Sequence, residues 1–253
     1  MSESPEPNPE HFDKDTEAAL LRAHLARAKS LRKLANQDPA SSQDRMRLRE
    51  FQSQRLARTY RDLLESQRYG TPAAFFLTDL YGPKDFSARD EELERILPMI
   101  VSVLPAAGVH TVGLAVEVDA LSEELDAAMA GELRRAGTVD SIDDTAYGDA
   151  YRACARRPVR ERQIALIGET GRTLARLTHM PFVSLALSLM RGPAHLAGLG
   201  ELHEFLDHGF SAFKHMGDPS EFLELIRNRE TAIMERLFAG HPEPFAIEAQ
   251  TPI

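Results

Sequence analysis

The chain has 253 residues, 43% of them hydrophobic and 27% charged, which fits one large globular domain and excludes a disordered polymer. Tryptophan is absent, and the single cysteine, Cys154, excludes an intramolecular disulfide. The net charge of −9 is uneven: Ala18 to Gln67 holds eleven basic and five acidic residues, a local +6 that leaves −15 elsewhere. A basic stretch on an acidic body can dock on that body, bind a second copy or take an anionic partner. Nucleic acid is not the expected partner, because DNA binders concentrate positive charge across the domain. No apolar run follows Met1 and none reaches about 20 residues, so a soluble cytoplasmic protein without a membrane segment is expected.

Residues 1–15 are rich in Pro, Glu and Ser and read as a disordered tail. Leu21, Leu25, Ala28, Leu31 and Ala35 then mark a first helix, which Asn36 to Pro39 breaks. Ser41 is the expected cap of a second helix, with Asp44 at its capping-box position and a stripe of Leu48, Gln52, Leu56, Tyr60 and Leu63. These two helices form a basic hairpin over 16–69.

Thr71-Pro72 is the expected start of a short helix that stops at Gly82-Pro83. Ser87 with Asp90 starts the next, in which Pro98 predicts a kink. A long helix follows from about Val109 to Arg135 with stripe Leu114, Val118, Leu121, Leu125 and Ala128. Its outer face carries Asp119, Glu123 and Asp126, a docking surface for the basic hairpin. Asp140 or Ser141 is expected to cap a helix through Tyr147 and Tyr151, and Pro158 separates it from one spanning Val159 to Thr178.

Pro181 to Met190 carries no charge and has no polar face, which predicts a helix covered on all sides at the centre of the fold. Ser184 and Ser188 share one of its faces. A helix from about Ala194 to Phe213 and a last one, opened by Asp218-Pro219-Ser220-Glu221 with stripe Phe222, Ile226, Ile233 and Leu237 and ending at Gly240-His-Pro242, complete an all-α bundle of nine or ten helices. The expected organisation is one domain over 16–240, with 71–240 as the main bundle and 241–253 as a second tail.

Phe75-Phe-Leu-Thr-Asp-Leu-Tyr-Gly-Pro-Lys-Asp-Phe86, followed by Arg89-Asp90, resembles a group of uncharacterised bacterial proteins with the pattern FFL-x-DLYGP-x-DF and RD after it. The resemblance extends from about Gln54 to Phe238. It implies an all-helical protein and carries no activity.

Four known site patterns are approached and not met. Ile164 to Thr173 looks like a strand entering a phosphate loop, but its glycines are three apart and no lysine follows. Gly168 and Gly171 instead predict close helix packing. In His203-Glu-Phe-Leu-Asp-His208 the histidines are five apart, about 140° around a helix, so they cannot share a zinc ion. No histidine follows a Glu by three residues, as a ferritin-like di-metal site requires. Ser30-Leu-Arg-Lys33 lacks the companion motifs of a serine acylase. Cys154 lies between Arg152 and Arg156, which would lower its thiol pKa if the group faced a pocket; a bystander thiol is the expected reading.

Polar residues on apolar stripes remain: His24, His110, Glu117, His203, Arg229 and Glu230. Burying such groups costs several kcal/mol unless they are paired. They form either a satisfied core network, with His203 meeting Glu230 or Arg229 meeting a carboxylate, or a pocket for a small molecule, haem or metal. A haem would need His24 or His203 as axial ligand. No catalytic or metal-ligating residue is assigned and no cofactor is specified. The first functional reading is a non-enzymatic interaction or regulatory protein, working as a homodimer or with another protein. The second is a helical-bundle ligand binder, extending to an oxygenase-like enzyme.

Overall fold

The computed structural model describes residues 12–80, 86–178 and 180–246. The chain before Phe12 and beyond Ala246, His179, and Tyr81–Asp85 with its Gly82-Pro83 stop lie outside them. The described residues form α-helices and one π-helical turn, with no strand. The helices are α1 (Lys14–Gln37), α2 (Pro39–Thr59), α3 (Arg61–Leu64), α4 (Gly70–Phe75), α5 (Ser87–Val103), α6 (Ala106–Ala136), α7 (Asp144–Ala153), α8 (Arg157–Thr178), α9 (Pro181–Leu196), α10 (Gly200–Met216) and α11 (Ser220–Ala239). The π turn, Phe76–Leu80, continues α4. The fold is all-α. None of these helices is long and apolar enough to cross a membrane.

Local chemistry sets the helix ends. The Asp13 carboxylate accepts from Thr16 N (3.0 Å) and starts α1. Asp38, not Ser41, caps α2: it accepts from Ala40 N and Ser41 N, and Pro39 occupies the first turn where its missing N–H costs nothing. Asp44 is thereby freed from capping and lies buried, bonded to Arg134 Nε at 2.6 Å. Likewise Asp143, not Asp140 or Ser141, caps α7 through Ala146 N. The helix expected to start at Thr71-Pro72 begins one residue earlier, at Gly70. Gly137 ends α6 in the left-handed region (φ 72°), and Thr138 N closes the last turn on Leu133 O.

The centre of the fold is α6 rather than the uncharged stretch at 181–190. Four apolar clusters make up the described core, and α6 contributes to three of them: with α1 and α5 through Val109 and Val116, with α8 through Leu114 and Leu121, and with α2, α7 and α11 through Met129 and Leu133. α1 runs along α6, where Gly113 faces Leu21 and leaves room for close approach. The fourth cluster joins α2, α3, α10 and α11 around Phe213 and Phe222. Close packing at Gly171 occurs as the sequence suggests, since a Cβ there would lie 2.5 Å from Leu223 of α11; at Gly168 only its own helix's Arg172 is near.

α9 corrects the expectation of a buried central helix. It lies on α10 and α8 with Ala194 buried, while Leu185, Leu189 and Leu196 are 60%, 67% and 93% exposed. Absence of charge does not bury a helix unless neighbours cover it. α6 shows the converse, because its acids are matched by arginines and can therefore lie inside.

Candidate functional site

The basic hairpin docks on α6 through a buried ionic layer. Glu123, 2% exposed, accepts from Arg32 Nε at 3.1 Å and from Arg49, and pairs with Arg45. Arg32 also grips Asp119 with one nitrogen (2.6 and 2.7 Å) and bonds Asp90. Asp126 accepts from Arg49 (3.2 Å) and Gln52 (3.1 Å). Each cation thus meets carboxylate, the condition under which burial of charge is tolerated.

The Asp90 carboxyl in this layer is displaced upward. Burial raises its carboxyl from 3.8 to about 6, aided by Asp119 and opposed by Arg32 and Arg89. A carboxyl whose folded pKa exceeds its unfolded one contributes stability at low pH that is lost as pH rises through about 6. Asp90→Asn does not titrate. Urea titrations should show its stability relative to wild type rising between pH 4 and 7.5, by at most about 3 kcal/mol, and level above that. A difference that stays constant with pH contradicts the account.

Beneath this layer lies a cavity of about 130 Å³. Three helices present polar groups to it at helical spacing: Arg49, Gln52 and Arg55 from α2; Asp119, Ser122, Glu123 and Asp126 from α6; Arg160 and Gln163 from α8. Tyr60 at the end of α2, Tyr147 and Tyr151, four apart on α7, and Glu230 on α11 complete the polar lining, against Leu56, Phe76, Ile233 and Leu237.

Most of these groups are matched. Glu230 accepts from Arg55 Nη1 at 2.7 Å and from Tyr60 OH at 2.8 Å. Burial and the Glu230 charge push the Tyr60 phenol well above its ordinary value. Burial opposes the Arg55 charge, but Glu230 more than restores it and holds the guanidinium pKa above normal. Gln163 donates to Ser122 Oγ at 2.8 Å.

Arg160 is different. It is 9% exposed, and its guanidinium carbon sits 4.5 Å from the centre of the Tyr151 ring. Among the described residues it has no carboxylate within ion-pair distance, and its Nη2 is buried without a hydrogen-bond partner, as is Arg55 Nε. The cavity lining therefore contains a buried positive charge that no carboxylate among the described residues neutralises. Burial also raises the Tyr151 phenol, so that ring stays neutral beside it.

The residues singled out by sequence do not converge. Only Glu230 lines this cavity. His110 Nδ1 lies 2.9 Å from Glu17 and its ring stacks on Phe12 at 4.0 Å. Glu117 accepts two bonds from Arg162 (3.1 and 2.9 Å). His203, 6% exposed, donates from Nε2 to Leu187 O at 2.8 Å and ties α10 to α9, so it does not meet Glu230. Arg229 does meet a carboxylate, donating to both oxygens of Asp62 (2.8 and 2.5 Å) and to Thr59 O. His24 is half-buried on α1. Neither His24 nor His203 lines this cavity or its neighbour described below, so neither offers a haem ligand there. Among the described residues no three His, Cys, Asp or Glu side chains gather to hold a metal ion. Burial raises the Cys154 thiol against the pull of Arg160 and Arg156, which agrees with a bystander rather than an activated thiol.

A family model described as Domain of unknown function (DUF8198) matches residues 31–244. No curated protein and no solved structure matches the chain.

Proposed function

We propose that this chain, which belongs to the DUF8198 family, binds a small anionic molecule in the cavity between α2, α6, α7, α8 and α11. The observation that carries the reading is Arg160: a residue nine-tenths buried, lining a cavity with its Nη2 unbonded and lacking a carboxylate among the described residues. A buried unpaired cation costs several kcal/mol, and a bound anion removes that cost. The reading is of a binding protein rather than an enzyme, in the cytoplasm, within the bacterial all-helical group that the Phe75–Phe86 signature suggests. The arginines of the basic hairpin that meet α6 are engaged by its carboxylates, which leaves less charge for nucleic acid.

The test is thermal melting of the full chain against a panel of small organic acids at constant ionic strength, with native mass recorded on the purified protein. Ligand that binds only the folded state raises the melting temperature by mass action. At least one acid should raise it in wild type and not in Arg160→Met. A flat panel in both proteins, with native mass equal to the sequence mass, overturns the reading.

The exposed leucines of α9 support a second reading, in which the chain works through a helical surface as a homodimer. Native mass of twice the chain, reduced to one chain by Leu185→Asp with Leu189→Asp, supports it. A monomeric wild type at high concentration contradicts it.

A further inference from the structure

The polar cavity shares a wall with a second one. The neighbour is larger, about 230 Å³, and is lined mainly by hydrocarbon, with Phe75, Val116, Leu174, Phe205, Leu206 and Phe210 among its residues. Phe76, Asp119, Ser122 and Ile167 belong to both linings. Passing from one chamber to the next, the lining changes from a buried unmatched guanidinium to an apolar surface. Phe76 stands on that wall at the start of a π-helical turn, a departure from the α-ladder that recurs at functional sites.

Charge accounting narrows the ligand's head group. Arg49 in the lining is matched by Glu123 and Asp126, and Arg55 is matched by Glu230. In the layer and the lining together, Arg32, Arg45, Arg49, Arg55 and Arg89 are matched by Asp90, Asp119, Glu123, Asp126 and Glu230, so the surplus is the single charge of Arg160. One negative charge neutralises it, whereas a dianionic phosphate would leave excess negative charge beside Glu230 and Asp126. A carboxylate also fits the planar fork of a guanidinium. The second chamber sets the tail. An engineered apolar cavity of about 150 Å³ admits benzene; a chamber of 230 Å³ takes an alkyl or aryl group of somewhat larger size.

We infer that the ligand is an amphipathic monocarboxylate, with its carboxylate on Arg160 and its apolar tail across the Phe76–Ile167 wall in the second chamber. This rests on the binding reading above and adds the chemical class. Arg160 selects charge and the second chamber selects length.

Isothermal titration of the full chain with sodium octanoate, sodium acetate and octanol separates the contributions, because acetate has the head without the tail and octanol the tail without the head. In wild type, octanoate should bind at least about tenfold more tightly than either. Arg160→Met should weaken octanoate by about tenfold or more and leave octanol unchanged. Ala115→Leu, which fills the second chamber away from Arg160, should weaken octanoate and leave acetate unchanged. Acetate binding as tightly as octanoate, with both lost in Arg160→Met, overturns the tail assignment and leaves the binding reading standing. Octanol binding as tightly as octanoate, indifferent to Arg160→Met, overturns the head assignment. No heat from any of the three overturns the inference, and a flat organic-acid panel as well overturns the binding reading. The three-probe comparison in wild type decides the matter even if a variant fails to fold.

Discussion

Glu123→Ala should lower the free energy of unfolding by about 3–5 kcal/mol, the range for breaking a buried ion pair by removing one partner. Glu123 sits where α1 and α2 meet α6, and three arginines, Arg32, Arg45 and Arg49, converge on its carboxylate. Arg32 and Arg45 are 4% and 6% exposed, so water cannot replace the lost oxygens cheaply. Asp119 and Asp126 still hold Arg32 and Arg49 in the variant, so the loss falls mainly on Arg45, whose buried guanidinium meets the Glu123 carboxylate. Glu123→Gln keeps the shape and removes the charge, so its loss should also be large. Urea titration with an unchanged slope reads the effect directly. A loss below about 1 kcal/mol would mean that the hairpin is held by apolar contact alone.

Phe213→Ala should cost about 3–5 kcal/mol as well, by a different mechanism. Its ring is 1% exposed, lies 6.1 Å from the ring of Phe76, and lines the apolar chamber. Truncation removes the transfer energy of the ring and enlarges a cavity that already exists, so the penalty grows by roughly 24 cal/mol per Å³ of added space. The neighbours that would have to collapse inward, Phe76, Phe222 and Leu223, are themselves packed in the same cluster. Denaturant unfolding checks this. A loss under about 2 kcal/mol would show that the chamber wall closes up, which would also weaken its assignment as a tail site.

Much of the helical framework was legible in the sequence because it is local. The periodicity of Leu21, Leu25 and Ala28 gave α1, and that of Leu114, Leu121 and Leu125 gave α6, and these residues are buried in the structure. The acids Asp119, Glu123 and Asp126 were readable as a dock for the hairpin because eleven basic residues crowd a short segment. Helix starts were less so: Asp38 and Asp143 compete with nearby Ser41, Asp140 and Ser141, and only the backbone path decides which side chain reaches an orphan N–H. α9 misled because an uncharged sequence states that burial would be favourable, not that a neighbour is there. Conversely, the α6 acids that the sequence places on an outer docking face lie inside, because arginines of the hairpin cover and match them.

The site itself was mostly hidden. Arg160 appears in the sequence as one charged helix-former beside Glu161 and Arg162, and only the fold separates it from them: Arg162 pairs with Glu117 at the surface while Arg160 turns inward. Its signal was present in weak form, since Arg160, Gln163, Ile164 and Ile167 continue the inward face of α8. Glu230 was flagged because it interrupts an apolar stripe. Its partners Arg55 and Tyr60 lie some 170 residues away in the chain, beyond any local pattern.

The measurement that tests the central claim most directly is the stability of Arg160→Met without added ligand. Methionine keeps much of the side-chain length and removes a buried charge that no carboxylate among the described residues matches. The contact over Tyr151 offsets only part of the burial cost. The account predicts that the variant is more stable than wild type by about 1–3 kcal/mol in urea titration. A variant less stable than wild type would show that Arg160 is a satisfied structural residue, and the cavity would lose its claim to be a binding site.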